Sequence, residues 1–143
     1  MIDTVFNDLK VNHIGIIVNR DSMRSIEKES GNLFIEDKIQ GVWVCFVWDN
    51  SLKLFKEYIT KEGRVKNAQV GFNHVCYDIS SQVEMNNLHN ILLKNRIGIR
   101  LTLPEPSPSD QCNIVTFYKV IGCGIVEFNI LEYKSSADSI SLT

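Results

Sequence analysis

Val11-Asn12-His13-Ile14-Gly15-Ile16-Ile17-Val18 and Phe72-Asn73-His74-Val75-Cys76-Tyr77-Asp78-Ile79 are two versions of one phrase. In each, an Asn-His pair leads into a run with the alternation of a half-buried strand. In the first, this puts His13, Gly15 and Ile17 on one face and Asn12, Ile14, Ile16 and Val18 on the other. A histidine at the same place in two copies of a structural unit can meet its counterpart across a pseudo-twofold axis. Two neutral imidazoles converging in a cleft are the start of a divalent metal site.

Outward from these strands, the two halves of the chain follow the same order. After the first, Asp21 caps a short helix carrying Met23, Ile26 and Leu33, which ends near Gly31-Asn32. Strands are expected at 42–48 and 52–58, joined by the turn Asp49-Asn50-Ser51. The polar stretch 61–68, with Gly63 inside it, reads as a linker. After the second strand, 72–79, the capping box Ser81-Gln82-Val83-Glu84 opens a helix with the apolar stripe Val83, Leu88, Ile91 and Leu92. A short strand at 99–103 and a loop at 104–110 follow, the latter kept out of any ladder by Pro104, Pro106 and Pro108. Strands at 113–120 and 124–131 complete the half.

Each half therefore reads as βαβββ. The helix-then-strands order argues against a doubly wound parallel sheet, which would alternate strand and helix throughout. The expected fold class is α+β: two βαβββ modules forming a curled sheet around a metal-binding cleft. The chain reads as a single domain, 1–143, with modules at 10–60 and 70–132, a linker at 61–69 and a polar tail at 134–143.

Composition narrows the function classes. A hydrophobic content of 44% and a charged content of 22% in 143 residues suit one soluble globular domain with a real core. The net charge of −2 gives no electrostatic reason to expect nucleic acid as a partner. No apolar run approaches the roughly 20 residues that span a bilayer, and the start lacks a secretory pattern, so a cytoplasmic location is expected. Cys45, Cys76, Cys112 and Cys123 have no metal-site or disulfide spacing and read as free thiols, the first two packed in strands. His89, within the second helix, reads as a solvated surface residue.

Glu127 interrupts the apolar run Gly124-Ile125-Val126-Glu127-Phe128-Asn129-Ile130-Leu131. A mid-sheet carboxylate is expensive to bury unless it is paired or binds a metal. With His13 and His74 it makes a candidate ligand trio. Placing 51–56 over 124–129 puts Leu54 opposite Glu127, so the symmetric fourth place holds leucine; a shift of register would offer Glu57 instead.

The phrases Asn-His-Ile-Gly-Ile-Ile-Val, Asn-His-Val-Cys-Tyr-Asp-Ile and Gly-Ile-Val-Glu-Phe, spread over about residues 10–132, resemble the glyoxalase/bleomycin resistance/vicinal-oxygen-chelate superfamily. Within it the chain looks most like methylmalonyl-CoA epimerase-like proteins. The resemblance implies a divalent metal (Co, Mn, Ni, Zn or Fe) held by His13, His74 and Glu127, and a homodimer acting on a small-molecule substrate. It also implies an isomerase- or lyase-like enzyme that stabilises an enolate or enediolate of a small carbonyl or acyl-thioester compound, with Glu127 as the catalytic carboxylate. The chain departs from the epimerase pattern twice: at Leu54, where a fourth ligand usually stands, and at Val44, in Gly41-Val42-Trp43-Val44, where a second acid/base carboxylate is usual.

Two other readings stay open. Two histidines and one carboxylate form the facial triad of non-haem Fe(II) oxygenases, including extradiol-type dioxygenases of this superfamily, with Tyr118 as a candidate supporting acid. The third reading is a non-catalytic small-molecule-binding protein that sequesters antibiotic or aromatic ligands, with Trp43, Phe46, Trp48, Phe55 and Tyr58 as candidate lining. Lys53, Lys56, Arg100 and Lys119 read as surface charges that would also suit an anionic substrate.

Overall fold

The structure is a computed structural model, and residues 6–107 and 113–131 are described. Cys112, part of the proline-rich loop and the polar tail lie outside them. The elements are β1 (Lys10–Val18), α1 (Met23–Ser30), β2 (Ile35–Asp37), β3 (Val42–Asp49), β4 (Leu54–Thr60), β5 (Gly71–Ile79), α2 (Gln82–Lys94), β6 (Gly98–Arg100), β7 (Glu105–Pro106), β8 (Ile114–Val120) and β9 (Gly124–Ile130). The described residues thus hold nine strands of mixed sheet and two α-helices, an α+β fold. No helix among them is long and apolar enough to cross a membrane.

The chain divides into two compact units, one of residues 12–75 and one of the residues before and after them. In the 12–75 unit the strand order is β2-β3-β4-β1. β1 and β4 run parallel, while β2–β3 and β3–β4 are antiparallel. β2 is the strand that the βαβββ pattern requires but the sequence does not locate, because Ile35 and Glu36 are both exposed and leave no alternation to read. Helix α1 ends at Gly31, whose φ of 74° is the left-handed cap conformation glycine adopts without strain. Leu33, expected on the inward stripe, is 75% exposed; Phe34 is buried in its place, its N–H donating to the Glu27 carboxylate.

Ile17, Val42, Val44 and Ile59 form the buried cluster of this unit, and Val65 and Ala68 pack against it. The stretch 61–68 is therefore more than a linker, since two of its apolar residues close one end of the sheet face. It is held there by close backbone contact. Arg64 N–H donates to the Gln40 carbonyl, and a side chain at Gly63 would have its Cβ 2.2 Å from that oxygen. Each of these buried aliphatic side chains contributes about 1.5–3 kcal/mol, so the unit does not depend on polar groups elsewhere on the face.

In the other unit, β9, β8 and β6 are successive neighbours and β7 pairs with β8. α2 packs against β6 and β9. Its buried residues are Met85, Leu88 and Leu92, whereas Val83 is 69% exposed and Ile91 is exposed. The expected cap is present, with Ser81 Oγ accepting from Glu84 N–H at 3.1 Å. Pro106, placed by sequence in a loop, stands opposite Ile114 in the two-residue strand β7. A short ladder at a sheet edge tolerates the missing N–H that a central strand would not.

Candidate functional site

Strand register places two candidate ligands, His13 and Glu57, on one face of the 12–75 unit. On β1, His13, Gly15 and Ile17 are the buried positions, as the alternation predicts. β4 is aligned so that His13 stands beside Phe55 and Gly15 beside Glu57, while on β3 Phe46 stands opposite Glu57. Residues side by side in a ladder point to the same face. Glu57 therefore shares the face of His13, and Leu54, at the strand start opposite Asp49, does not occupy the fourth place. The residue of β4 that faces the histidine is Glu57, three positions beyond Leu54.

His13 and His74 are buried, at 6% and 3% exposure. Glu57 Oε1 lies 3.3 Å from His13 Nε2 and 3.6 Å from His74 Nε2. The two imidazoles meet edge to face with centroids 5.5 Å apart. One ligand atom from each of the three residues lies within 4.8 Å of those of the others.

These distances test the group that the residues would hold. A direct hydrogen bond would draw N and O to about 2.7–3.2 Å. Two ligand atoms, each about 2.1 Å from a shared tetrahedral ion, stand about 3.4 Å apart. The observed 3.3 and 3.6 Å match the second arrangement, and the donor set of imidazole nitrogen and carboxylate oxygen suits a divalent transition metal. The residues fit the ion.

The neighbouring asparagines explain why the repeated phrase is Asn-His. Asn12 Oδ1 is 2.7 Å from His13 Nδ1, and Asn73 Oδ1 is 2.8 Å from His74 Nδ1. The amide oxygen accepts the Nδ1 proton, which leaves the Nε2 lone pair available to a metal. Asn12→Ala is expected to weaken metal affinity about 10–100-fold with the fold intact, as measured by competition with a metal-indicator dye.

Gly15 makes room for the second histidine. A Cβ there would stand 2.1 Å from His74 Cε1 and 2.4 Å from Nδ1. The His74 ring therefore lies directly against the backbone of β1.

Glu127 belongs to the other unit. It is 7% exposed on β9 and stands opposite Phe117 on β8. Tyr118 stands opposite Val126, so its side chain and that of Glu127 project from opposite faces of this pair. A supporting role for Tyr118 beside Glu127 is thereby excluded. Tyr118 instead anchors a polar cluster under α2. Arg100 Nε donates to its hydroxyl at 3.0 Å, and the same hydroxyl is hydrogen-bonded to His89 Nδ1 at 2.6 Å.

His89 is thus partly buried and hydrogen-bonded, not solvated. Burial first, and the Arg100 charge second, hold its pKa below the ordinary 6.5. A lowered folded-state value means that the unfolded chain takes up the proton first. The stabilisation is present above pH 6.5 and is lost as pH falls through the lowered value. Thermal melts between about pH 7.5 and 5 should show the native chain losing more stability than His89→Gln.

Cys45 is buried, and its thiol pKa is raised by that burial, as suits a packing residue rather than a nucleophile. Cys76 is likewise buried. Lys56 pairs with Asp49 at 3.3 Å.

No family model matches the sequence, and no curated protein matches it. Solved structures do. Methylmalonyl-CoA epimerase from Mycobacterium tuberculosis superposes with a TM-score of 0.57 at 12% identity, over 84% of this chain and 86% of that one. A single-residue variant of Streptomyces coelicolor methylmalonyl-CoA epimerase, in complex with 2-nitronate-propionyl-CoA, gives 0.58 at 14% identity over 85% and 96%. The chain has the vicinal-oxygen-chelate, or glyoxalase-superfamily, fold. The Mn(II)-bound glyoxalase from Novosphingobium aromaticivorans gives 0.58 at 19% identity, over 87% of this chain and 38% of that longer one. At these identities the likeness establishes the vicinal-oxygen-chelate fold and leaves the chemistry to the residues.

Proposed function

We propose that the protein is a divalent-metal-dependent isomerase or lyase, epimerase-like in ancestry, acting on a small carbonyl or acyl-thioester substrate. The observation that carries this reading is the spacing of Glu57 Oε1 from the two asparagine-oriented imidazoles. His13, Glu57 and His74 would hold the ion, with Glu127 as the fourth ligand. Two facts support Glu127. It is a buried carboxylate in an apolar strand, and it is the fourth residue of β9 as Glu57 is the fourth of β4.

When bound, a divalent ion stabilises the negative charge that develops on a carbonyl oxygen as a proton leaves the adjacent carbon. The chain's own residues must supply the base, and Glu127 is assigned that role as well, moving between ligand and base. Val44, where epimerases usually carry a second carboxylate, is 3% exposed within the cluster of Ile17, Val42 and Ile59. One base returning the proton is therefore favoured over two opposed bases. Glu57 also distinguishes this reading from the dioxygenase, because it supplies a ligand-type group beyond two histidines and one carboxylate. A cytoplasmic homodimer completes the proposal.

The test is solvent deuterium exchange, followed by proton NMR, into propionyl-CoA and pyruvate with Co(II)-, Ni(II)- or Mn(II)-loaded protein. Exchange at the carbon next to the carbonyl is expected, and Glu127→Gln should slow it at least about 100-fold. Oxygen consumption with a catechol and no exchange would select the dioxygenase instead. Tight metal-independent binding of an aromatic ligand, with neither reaction, would select the sequestering protein.

A further inference from the structure

A cavity of about 510 Å³ opens where α2 ends, β6 begins and β8 turns into β9. It lies wholly within the unit that holds those elements, and none of His13, Glu57, His74 and Glu127 lines it. Its volume falls in the range of small-molecule sites, about 300–1,000 Å³. Leu93, Ile99 and Ile121 of its lining are 46%, 59% and 65% exposed, so the apolar wall faces water. Gly124 leaves room on another side, because a Cβ there would meet nothing within 4 Å.

The charge of the lining has one sign. Arg96 and Lys119, both exposed, are its ionisable side chains, and no acidic residue lines the cavity. Arg96 is not needed to close the helix. The carbonyls of Ile91, Leu92 and Leu93 already accept from the N–H groups of Asn95, Ile97 and Arg96. Lys119 stands opposite Ile99 on β6 and Ile125 on β9, so neither cross-strand neighbour offers it a counter-charge.

Three aliphatic side chains gathered around one cavity hold hydration that an apolar ligand would release. The two cations decide which apolar ligand, since a carboxylate would accept charge-assisted hydrogen bonds from both. No aromatic ring lines the cavity, so nothing there favours a flat ligand over an aliphatic one. We infer that this cavity is a second ligand site, separate from the metal centre, for a small fatty-acid-like carboxylate. The aliphatic body lies against Leu93, Ile99 and Ile121, and the carboxylate meets Arg96 and Lys119. Nothing in this inference depends on the metal.

The probe is octanoate, titrated into the isotope-labelled full chain and followed by the backbone amides in NMR spectra. The amides of 96–99 and 119–124 are expected to move saturably, and those of His13, Glu57, His74 and Glu127 to stay in place. Butyrate should bind at least about 10-fold more weakly, because it covers less of the apolar wall. 1-Octanol, with the same body and no charge, should bind at least about 5-fold more weakly. Arg96→Gln and Lys119→Gln should each weaken octanoate at least about 3-fold and leave 1-octanol unchanged. Ile121→Ser should weaken both ligands.

Absence of saturable shifts, or shifts confined to the amides around the metal ligands, would overturn the inference. Equal affinity for octanoate and butyrate, or for octanoate and 1-octanol, would do so too, as would octanoate binding that survives both glutamine substitutions. A self-association in sedimentation that Ile121→Ser abolishes would also overturn it, because the apolar wall would then be a contact between copies of the chain. A chain that binds octanoate as described and retains no metal would leave this site standing and remove only the metal-centre reading.

Discussion

Gly15→Ala is expected to lower metal affinity at least about 100-fold while the metal-free protein stays folded. The added Cβ would stand 2.1 Å from His74 Cε1, 2.4 Å from Nδ1 and 2.7 Å from Nε2, all well inside van der Waals contact. All three clashing atoms belong to the outer end of one side chain. The ring can swing away with modest backbone strain, at a cost of about 1–2 kcal/mol. What cannot survive the swing is the 3.6 Å relation between His74 Nε2 and Glu57 Oε1. The substitution thus separates site from fold. Chemical denaturation of the metal-free variant should stay within about 2 kcal/mol of the native protein. Metal titration should show the large loss. Equal metal affinity in the two proteins would mean that the placement of His74 against β1 does not matter to the ion.

Glu57→Ala should have an effect of similar size, and Leu54→Ala should have almost none. Glu57 Oε1 is within 3.6 Å of both imidazole Nε2 atoms, whereas Leu54 begins β4 opposite Asp49. Removing the carboxylate leaves two neutral nitrogens from this unit, too weak a set to hold a hard divalent ion firmly. The expected loss is again about 100-fold or more, read by competition with a metal-indicator dye. The paired comparison matters because the sequence alone puts leucine at the fourth place and offers Glu57 only on a shift of register. If Leu54→Ala weakened metal binding and Glu57→Ala did not, the strand register described above would be wrong.

The reason the sequence misleads there is local. A turn of Asp49-Asn50-Ser51 would start the next strand at Leu52, and that register moves the expected ligand place to Leu54. The connection is in fact longer. Asp49 Oδ1 accepts from Leu52 N–H at 2.9 Å, from Ser51 N–H at 3.0 Å and from the Ser51 hydroxyl at 2.7 Å. These donors, that of Leu52 foremost, hold the Asp49 carboxyl at about 2. Lys53 adopts φ of 57° to close the turn, and the strand begins at Leu54. An aspartate that folds the chain around its own side chain leaves no hydrophobic pattern to read. Aligned from the true strand starts, Leu54 falls on Gly124 and Glu57 on Glu127, and the two halves match.

Other features are plain in the sequence. Regular alternation locates β1 and β5, and Gly31 and Ser81 mark a helix end and a helix start. His89 and Tyr118 are harder, because their hydrogen bond joins residues on a helix and a strand 29 positions apart. No short-range pattern carries such a contact. The same is true of Val65 and Ala68, whose packing on Ile17 and Val44 looks like linker until the strands are assembled.

The central claim is that a divalent ion sits among His13, Glu57 and His74. Elemental analysis of protein dialysed against Mn(II), Co(II), Ni(II) or Zn(II) and then freed of loose metal tests it most directly. The account predicts about one ion per chain for at least one of these metals, and about none in His13→Ala. A native chain that retains no ion, or a His13→Ala chain that retains as much as the native one, would contradict it.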